Sequence, residues 1–264
     1  MEEQKIITSL QNPLIKKVLQ LKEKSRERKK SGLFIIEGQR ELELALKGGY
    51  TIKTLMVCQE LRDDTEWFQK SSHPTIQISK PVYEKLAYRK TTEGILAIAK
   101  AKPHALKAIT FQTKKPLVLV AEAPEKPGNI GALLRTADAA NLDVVVIANA
   151  NTDLYNPNII RSSVGCVFTR QVGMGTTDEI ITFLKENNIK ICCAALTASD
   201  NYINTDYTDA TAIVVGSEAT GLSNSWLENS DQNLIIPMQG EIDSMNVSVS
   251  AAILIFEAKR QRGF

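Results

Sequence analysis

From Pro116 the chain reads PLVLVAEA, an almost unbroken apolar run. A strand with one face in water alternates apolar and polar residues. A run without alternation is therefore buried on both faces, as in a parallel sheet covered by helices. Five further runs, DVVVIA, VFTRQV, KICCAAL, AIVVG and NLIIP, follow it, with helical patterns at NIGALLRTADAAN, TTDEIITFLKENN and SVSAAILIFEAKRQ. Parallel neighbours need long crossover connections, so residues 116–264 are expected to form one α/β domain around a parallel sheet.

Residues 1–105 alternate too, with shorter elements. NPLIKKVLQLKEKSRERKK begins as an amphipathic basic helix and runs into a charged loop. FIIEG, TIKTLMV, PTIQIS and GILAIAK read as strands. Between them, QRELELALK is a helix stopped by Gly48-Gly49, ELRDDTEWFQK is helical, and PVYEKLAYRK is a helix with Pro81 in its first turn. The expectation is a small α/β sandwich. Residues 106–115, within KPHALKAITFQTKKP, have little apolar periodicity and read as a linker.

Composition excludes several classes. No run approaches the ~18 apolar residues of a membrane span. The N-terminus lacks the apolar core of a secretory signal, which makes cytoplasm the expected compartment. Cys58, Cys166, Cys192 and Cys193 show no metal-ligand spacing and read as small core residues, so no metal is expected. The net charge of +2 conceals a division: Met1 to Lys115 holds 23 Lys+Arg and 13 Asp+Glu, whereas the remainder holds 9 and 17. Such asymmetry fits a first half facing a polyanion or merely solvated helix faces. Lys16, Lys17, Arg26, Arg28, Lys29, Lys30 and Arg40 are the candidate contacts. Phe34, Tyr83 and Tyr88 could stack on bases or fill the core.

Three polar clusters follow apolar strands, where open α/β sheets bind ligands. In the first, EAPEKPGNIGALLRTADAANL, Asn129 stands at a helix start and Arg135 six residues on. Gly131 inside that helix costs about 1 kcal/mol relative to Ala unless something approaches the backbone. Asn129 as a plain N-cap and Arg135 as a surface charge are the alternatives. In the second, AIVVGSEATGLS, the strand ends at Val215-Gly216-Ser217-Glu218, with Gly221 beyond. Glycine there admits a ligand or a second backbone. In the third, IPMQGEIDSMNVSVSAA, main-chain groups of Ile236, Pro237, Met238 and Met245 could meet an adenine edge, beside Ser244 and Asn246.

Taken in this order, NIGALLRTA, GSEATGL and IPMQGEIDSMNVSVSAA resemble the motifs of the SpoU/TrmH family of RNA 2′-O-ribose methyltransferases, in the SPOUT superfamily. The first half, with NPLIKKVLQL and FIIEGQRELELAL, is similar to the family's N-terminal substrate-binding domain. Met245 stands where leucine is usual, and Ala219 where glycine is frequent. The resemblance implies a SPOUT-type parallel sheet with a deep trefoil knot near the C-terminus. It also implies a ribosomal-protein-L30e-like N-terminal domain and a homodimer formed through the last helix. It further implies S-adenosylmethionine as methyl donor and RNA, ribosomal more than transfer RNA, as substrate. Val215, Gly216, Ser217, Gly221, Ile236, Pro237, Met238, Met245 and Asn246 would hold the cofactor.

The chemistry would be attack of a ribose 2′-hydroxyl on the cofactor methyl group, leaving positioning and deprotonation to the protein. The resemblance gives Arg135 the central role. Guanidinium keeps its proton, so Arg135 is expected to hold a phosphate and stabilise the developing alkoxide. Glu218 would orient Arg135 or the hydroxyl, Asn129, Ser244 and Asn246 would position ribose and loop, and Arg161 is a further phosphate candidate. Two rivals remain. A dinucleotide-binding enzyme would need G-x-G-x-x-G after the first strand. The chain offers only Gly173-Met174-Gly175, read as a turn before a cap at Thr176 or Thr177. The other rival is a non-catalytic RNA-binding module of the same fold.

Overall fold

The computed structural model describes residues 6–62, 73–88, 93–196, 200–217, 219–241 and 244–264. It divides the chain into two compact units, Met1–Lys102 with Asp153–Thr169, and Pro103–Thr152 with Arg170–Phe264. Most of the expected helix over ELRDDTEWFQK lies outside the described residues.

The first unit has a four-stranded sheet of β1 (Leu33–Glu37), β2 (Ile52–Val57), β3 (Thr75–Gln77) and β4 (Ile95–Lys100), in the order β1-β4-β2-β3. The β1–β4 and β2–β4 pairs are antiparallel, and β2–β3 is parallel. Helix α1 (Pro13–Glu23) starts at Asn12, whose side chain accepts from the Leu14 N–H, with Pro13 in its first turn. It buries Ile15, Val18 and Leu21 and leaves Lys16 and Lys17 in solvent. The expected charged loop is instead helix α2 (Ser25–Ser31), closed by Gly32 at φ +64°. Helix α3 (Gln39–Lys47) falls where expected, whereas α4 (Lys80–Leu86) covers only the first part of PVYEKLAYRK and ends before Ala87 and Tyr88. Phe34 and Tyr83 are fully buried, so they are core side chains; Tyr88 is exposed.

Helicity of α2 corrects one candidate. Arg26, Lys29 and Lys30 are exposed, as is Arg40 on α3, but Arg28 is 5% exposed. Its Nε and Nη2 each donate to Asp153 at 2.9 Å, and Nη1 donates to the carbonyls of Leu21 and Lys22. A guanidinium with those partners has no face left for a phosphate. Burial would raise the Asp153 carboxyl, but hydrogen bonds from Arg28 and Ser25 outweigh it and hold the group below its ordinary value.

Asp153–Thr169 thus belongs with the first unit despite its place in the sequence. Tyr155 stacks on Phe34 at 4.1 Å between centroids, and Phe168 meets Tyr50 edge-on at 5.0 Å. A Cβ at Gly48 would lie 2.1 Å from the Phe168 carbonyl oxygen, so this packing requires glycine there as well as ending α3. Helix α6 (Pro157–Ser162) carries Arg161.

In the second unit seven strands pair, all parallel, in the order β7-β6-β5-β10-β8-β11-β9. They are β5 (Leu117–Glu122), β6 (Val144–Ala148), β7 (Gln171–Gly175), β8 (Lys190–Ala194), β9 (Asp200–Asn201), β10 (Thr211–Val215) and β11 (Gln232–Ile235). Every residue of β5, β6 and β10 is buried, as unbroken apolar runs require. The helices are α5 (Pro127–Ala139), α7 (Thr177–Glu186), α8 (Asn224–Glu228) and α9 (Val247–Arg262). Among the described residues no helix is long and apolar enough to cross a membrane.

Two local expectations change. The strand expected over VFTRQV begins only at Gln171, because Cys166–Phe168 is a 3-10 turn of the first unit. Gly173 and Gly175 are not a turn but part of that edge strand. A Cβ on Gly173 would meet Ile109 at 2.7 Å and one on Gly175 would meet Leu106 at 3.1 Å. The expected linker packs onto this unit's core through Leu106, Ile109 and Phe111. The cap is Thr176, in a reciprocal capping box with Glu179.

Candidate active site

Strands β6 and β7 lie to one side of β5, and β10, β8 and β11 to the other, the arrangement that opens a crevice at the carboxyl ends of a doubly wound sheet. A cavity of about 490 Å³ lies on the β10 side of β5, at the carboxyl ends of β10, β8 and β11. The ends of β8, β10 and β11 form its floor at Ala194, Val215 and Ile235. Its second wall is the turn after β10. Ser217 and Gly221 exchange both main-chain hydrogen bonds at 3.1 Å, and Thr220 N–H donates to Ser217 Oγ. Gly221 takes φ +68°, the left-handed region. Gly216 must be glycine for a different reason: a Cβ there would stand 2.2 Å from the Gly221 carbonyl carbon. Of the two readings of Gly216, close approach of a second backbone is the one observed.

The third wall is the segment before α9, where Met238, Ser244, Met245 and Val247 line the cavity. Asn246 caps α9, its Oδ1 accepting from the Ser248 N–H at 3.0 Å and the Ser248 hydroxyl at 2.6 Å. Its Nδ2 donates to Asn129 Oδ1 at 3.3 Å. Asn129 is not a cap. Lys126 holds that position and Asn129 lies in the first turn of α5. Two carboxamides 117 residues apart therefore meet beside the cavity's third wall. Arg135, on the same helix as Asn129, is exposed and lies outside the cavity lining. It has no hydrogen bond or ion pair among the described residues.

Val215, Gly216, Ser217, Gly221, Ile236, Met238 and Met245 all line the cavity, whereas Pro237 and Asn246 do not. Glu218 lies outside the described residues. Residues 194–196 also form part of the wall. Nothing in KICCAAL signals a site, because only the strand order sets β8 beside β10. Glu122 is a further residue without a motif of its own. It ends β5 with 5% exposure and accepts from Thr177 Oγ1, Ser223 N–H and Ser223 Oγ at 2.8–2.9 Å. It thereby ties down the chain next to the cavity-lining Leu222. An acid inside the apolar run VLVAEA was the available signal. All four cysteines are buried thiols outside any disulfide, and burial pushes Cys192 up to about 11 and Cys193 up to about 12. Among the described residues no group of three or more His, Cys, Asp or Glu could hold a metal ion.

The model of the SpoU rRNA Methylase family matches residues 116–256, the stretch containing the whole cavity. The chain belongs to the SpoU rRNA methylase family. Residues 12–97 of this SpoU methylase match an MRM3-like substrate binding domain. It is 31% identical over 255 residues to the 23S rRNA (guanosine(2553)-2'-O)-methyltransferase RlmP of Bacillus subtilis (strain 168), covering 97% of this chain and 99% of that one. A solved RNA 2'-O ribose methyltransferase is similar at a TM-score of 0.85 and 36% identity, covering 98% of this chain and 100% of that one. AviRb from Streptomyces viridochromogenes, a SpoU methyltransferase solved in complex with AdoMet, gives 0.87 and 25% identity, over 95% and 98% of the two chains.

Proposed function

We propose that this SpoU methylase transfers a methyl group from S-adenosylmethionine to a ribose 2′-hydroxyl of ribosomal RNA of the 23S type. The observation that carries the reading is the Asn129–Asn246 hydrogen bond, which brings the first motif against the third beside a cavity walled by the second. Similarity to the Bacillus subtilis enzyme supports the substrate, and similarity to the AdoMet complex supports the cofactor. The cavity's volume lies within the ~300–1,000 Å³ range of small-molecule sites.

When bound, the cofactor supplies a methyl group on a sulfonium, already a good leaving group. The apolar side chains of Val215, Leu234 and Ile236 exclude water from one side of the cavity. Main-chain groups at Gly216, Met238 and Met245 are the candidates to read an adenine edge. Asn129 and Asn246 orient each other and the ribose, with Ser244 adjacent. Arg135 holds a phosphate and the developing alkoxide charge, and Glu218 is assigned to orient it. Exposed Lys16, Lys17, Arg26, Lys29, Lys30 and Arg40 supply phosphate contacts, with Arg161 as a further one. Residues 1–105 are the substrate-binding part and 116–264 the methyltransferase, acting in the cytoplasm.

A trefoil knot near the C-terminus and a homodimer through α9 complete the proposal. Exposed Val249 and Phe256 on α9 support the dimer, which light scattering would reveal as twice the chain mass of 29.1 kDa. Titration calorimetry with S-adenosylmethionine tests the enzyme reading, since absence of binding leaves only an RNA-binding module. The same titration checks Gly216→Ala. Its Cβ forces the Gly221–Leu222 backbone to move, and overpacking of this kind costs roughly 1–3 kcal/mol. Weaker cofactor binding is expected. Wild-type affinity would mean the turn does not shape the pocket.

A further inference from the structure

We infer that Tyr88 and Arg161 form a stacking site for an unpaired nucleotide of the RNA substrate. Residues 153–169 then take part in reading the substrate although they lie within the methylase half of the sequence. The inference rests on the proposed reaction on ribosomal RNA.

Tyr88 is 46% exposed, and the Arg161 guanidinium carbon lies over its ring, 5.5 Å from the centroid. Both groups are held from behind. The Lys22 ammonium donates to the Ala87 carbonyl at 2.7 Å, and Glu37 Oε2 accepts from the Tyr88 N–H at 2.7 Å. Charged side chains therefore clamp the peptide leading into Tyr88 on both its groups, and the Glu37 carboxylate is engaged in doing so. On the other side, Asn156 caps α6 through the Asn158 N–H, and Asn158 Oδ1 accepts from Arg161 Nη2 at 3.3 Å. The segment carrying α6 is fixed by the buried Arg28–Asp153 pair and the Tyr155–Phe34 stack.

An arginine meant only for phosphate needs no ring beneath it. A guanidinium over an exposed tyrosine ring sets a planar cation and an aromatic face side by side, the two kinds of group on which unstacked bases settle. Paired bases hide their faces, so the fitting partner is a looped-out or single-stranded nucleotide.

The test uses the full-length protein and an unmodified 23S rRNA transcript in filter binding at several salt concentrations. Tyr88→Ala and Arg161→Ala should each weaken binding about tenfold, within the range found for removed base stacks. Tyr88→Ala should leave the salt slope unchanged, and Arg161→Ala should lower it by about one. Arg161→Lys should restore the slope without restoring affinity. Cofactor affinity should not change in any of them. Wild-type RNA affinity in both alanine variants overturns the inference, as does full rescue by Arg161→Lys. A wild-type protein that neither binds nor methylates the transcript overturns the proposed function instead.

Discussion

Arg135→Ala is expected to lower turnover by about 10²- to 10³-fold while S-adenosylmethionine binds with nearly wild-type affinity. The separation follows from placement. Arg135 shares α5 with Asn129, which is hydrogen-bonded to the cap of α9, yet Arg135 itself lines none of the cavity. Removing it therefore takes nothing from the walls of the cavity proposed for the cofactor. It removes a cation that has no protein partner among the described residues and whose proposed role is toward the RNA. Arg135→Lys keeps the charge but loses the planar fork, so recovery should be partial. Single-turnover rates and calorimetry on the same preparations check the pair of expectations. A variant that loses turnover only in proportion to lost cofactor binding would place Arg135 in the cofactor site instead.

Asp153→Ala should cost the protein about 3–5 kcal/mol of stability, the penalty for breaking a buried ion pair and leaving one charge alone. The charge left behind is Arg28, 5% exposed, and its two hydrogen bonds to the carboxylate cannot be replaced by water at that depth. The effect carries a pH signature. Because Asp153 titrates below its ordinary value in the folded protein, its stabilisation is present above the unfolded value of about 3.9. It is lost as the pH falls through the lower folded value. The wild-type protein should show this loss in acid, and the variant should lack it. Urea unfolding across that range measures both. A variant within about 1 kcal/mol of wild type at neutral pH would show that water reaches Arg28. Deleting the first ~110 residues is a poorer probe of the same region, since it strips 153–169 of the core it packs on.

The central strands are legible because their burial is uniform, and the longer helices because theirs is periodic. Strands β5, β6 and β10 are buried at every position, so their sequences carry the signal without interruption. Strand β7 is illegible for the opposite reason. Its glycines make room for Leu106 and Ile109, while the apolar Val167 and Phe168 before it serve the first unit's core. Helix α2 was hidden by its charge. SRERKKS has little apolar content, and its one buried side chain is an arginine. The site was legible in part. Seven of the nine residues proposed for the cofactor line the cavity, but the β8 end does not announce itself.

By itself the sequence determined that β5, β6 and β10 are strands buried on both faces, because short unbroken apolar runs rich in β-branched residues fit best inside a covered parallel sheet. It also determined that three polar clusters follow such strands, and in what order. Only the tertiary structure decided that Gly216 yields to the chain's own backbone, that Asn129 answers Asn246, and that Arg28 faces Asp153 rather than solvent. Each is a contact between residues distant along the chain. Local periodicity reports which face of an element is buried, but not which distant group it is buried against.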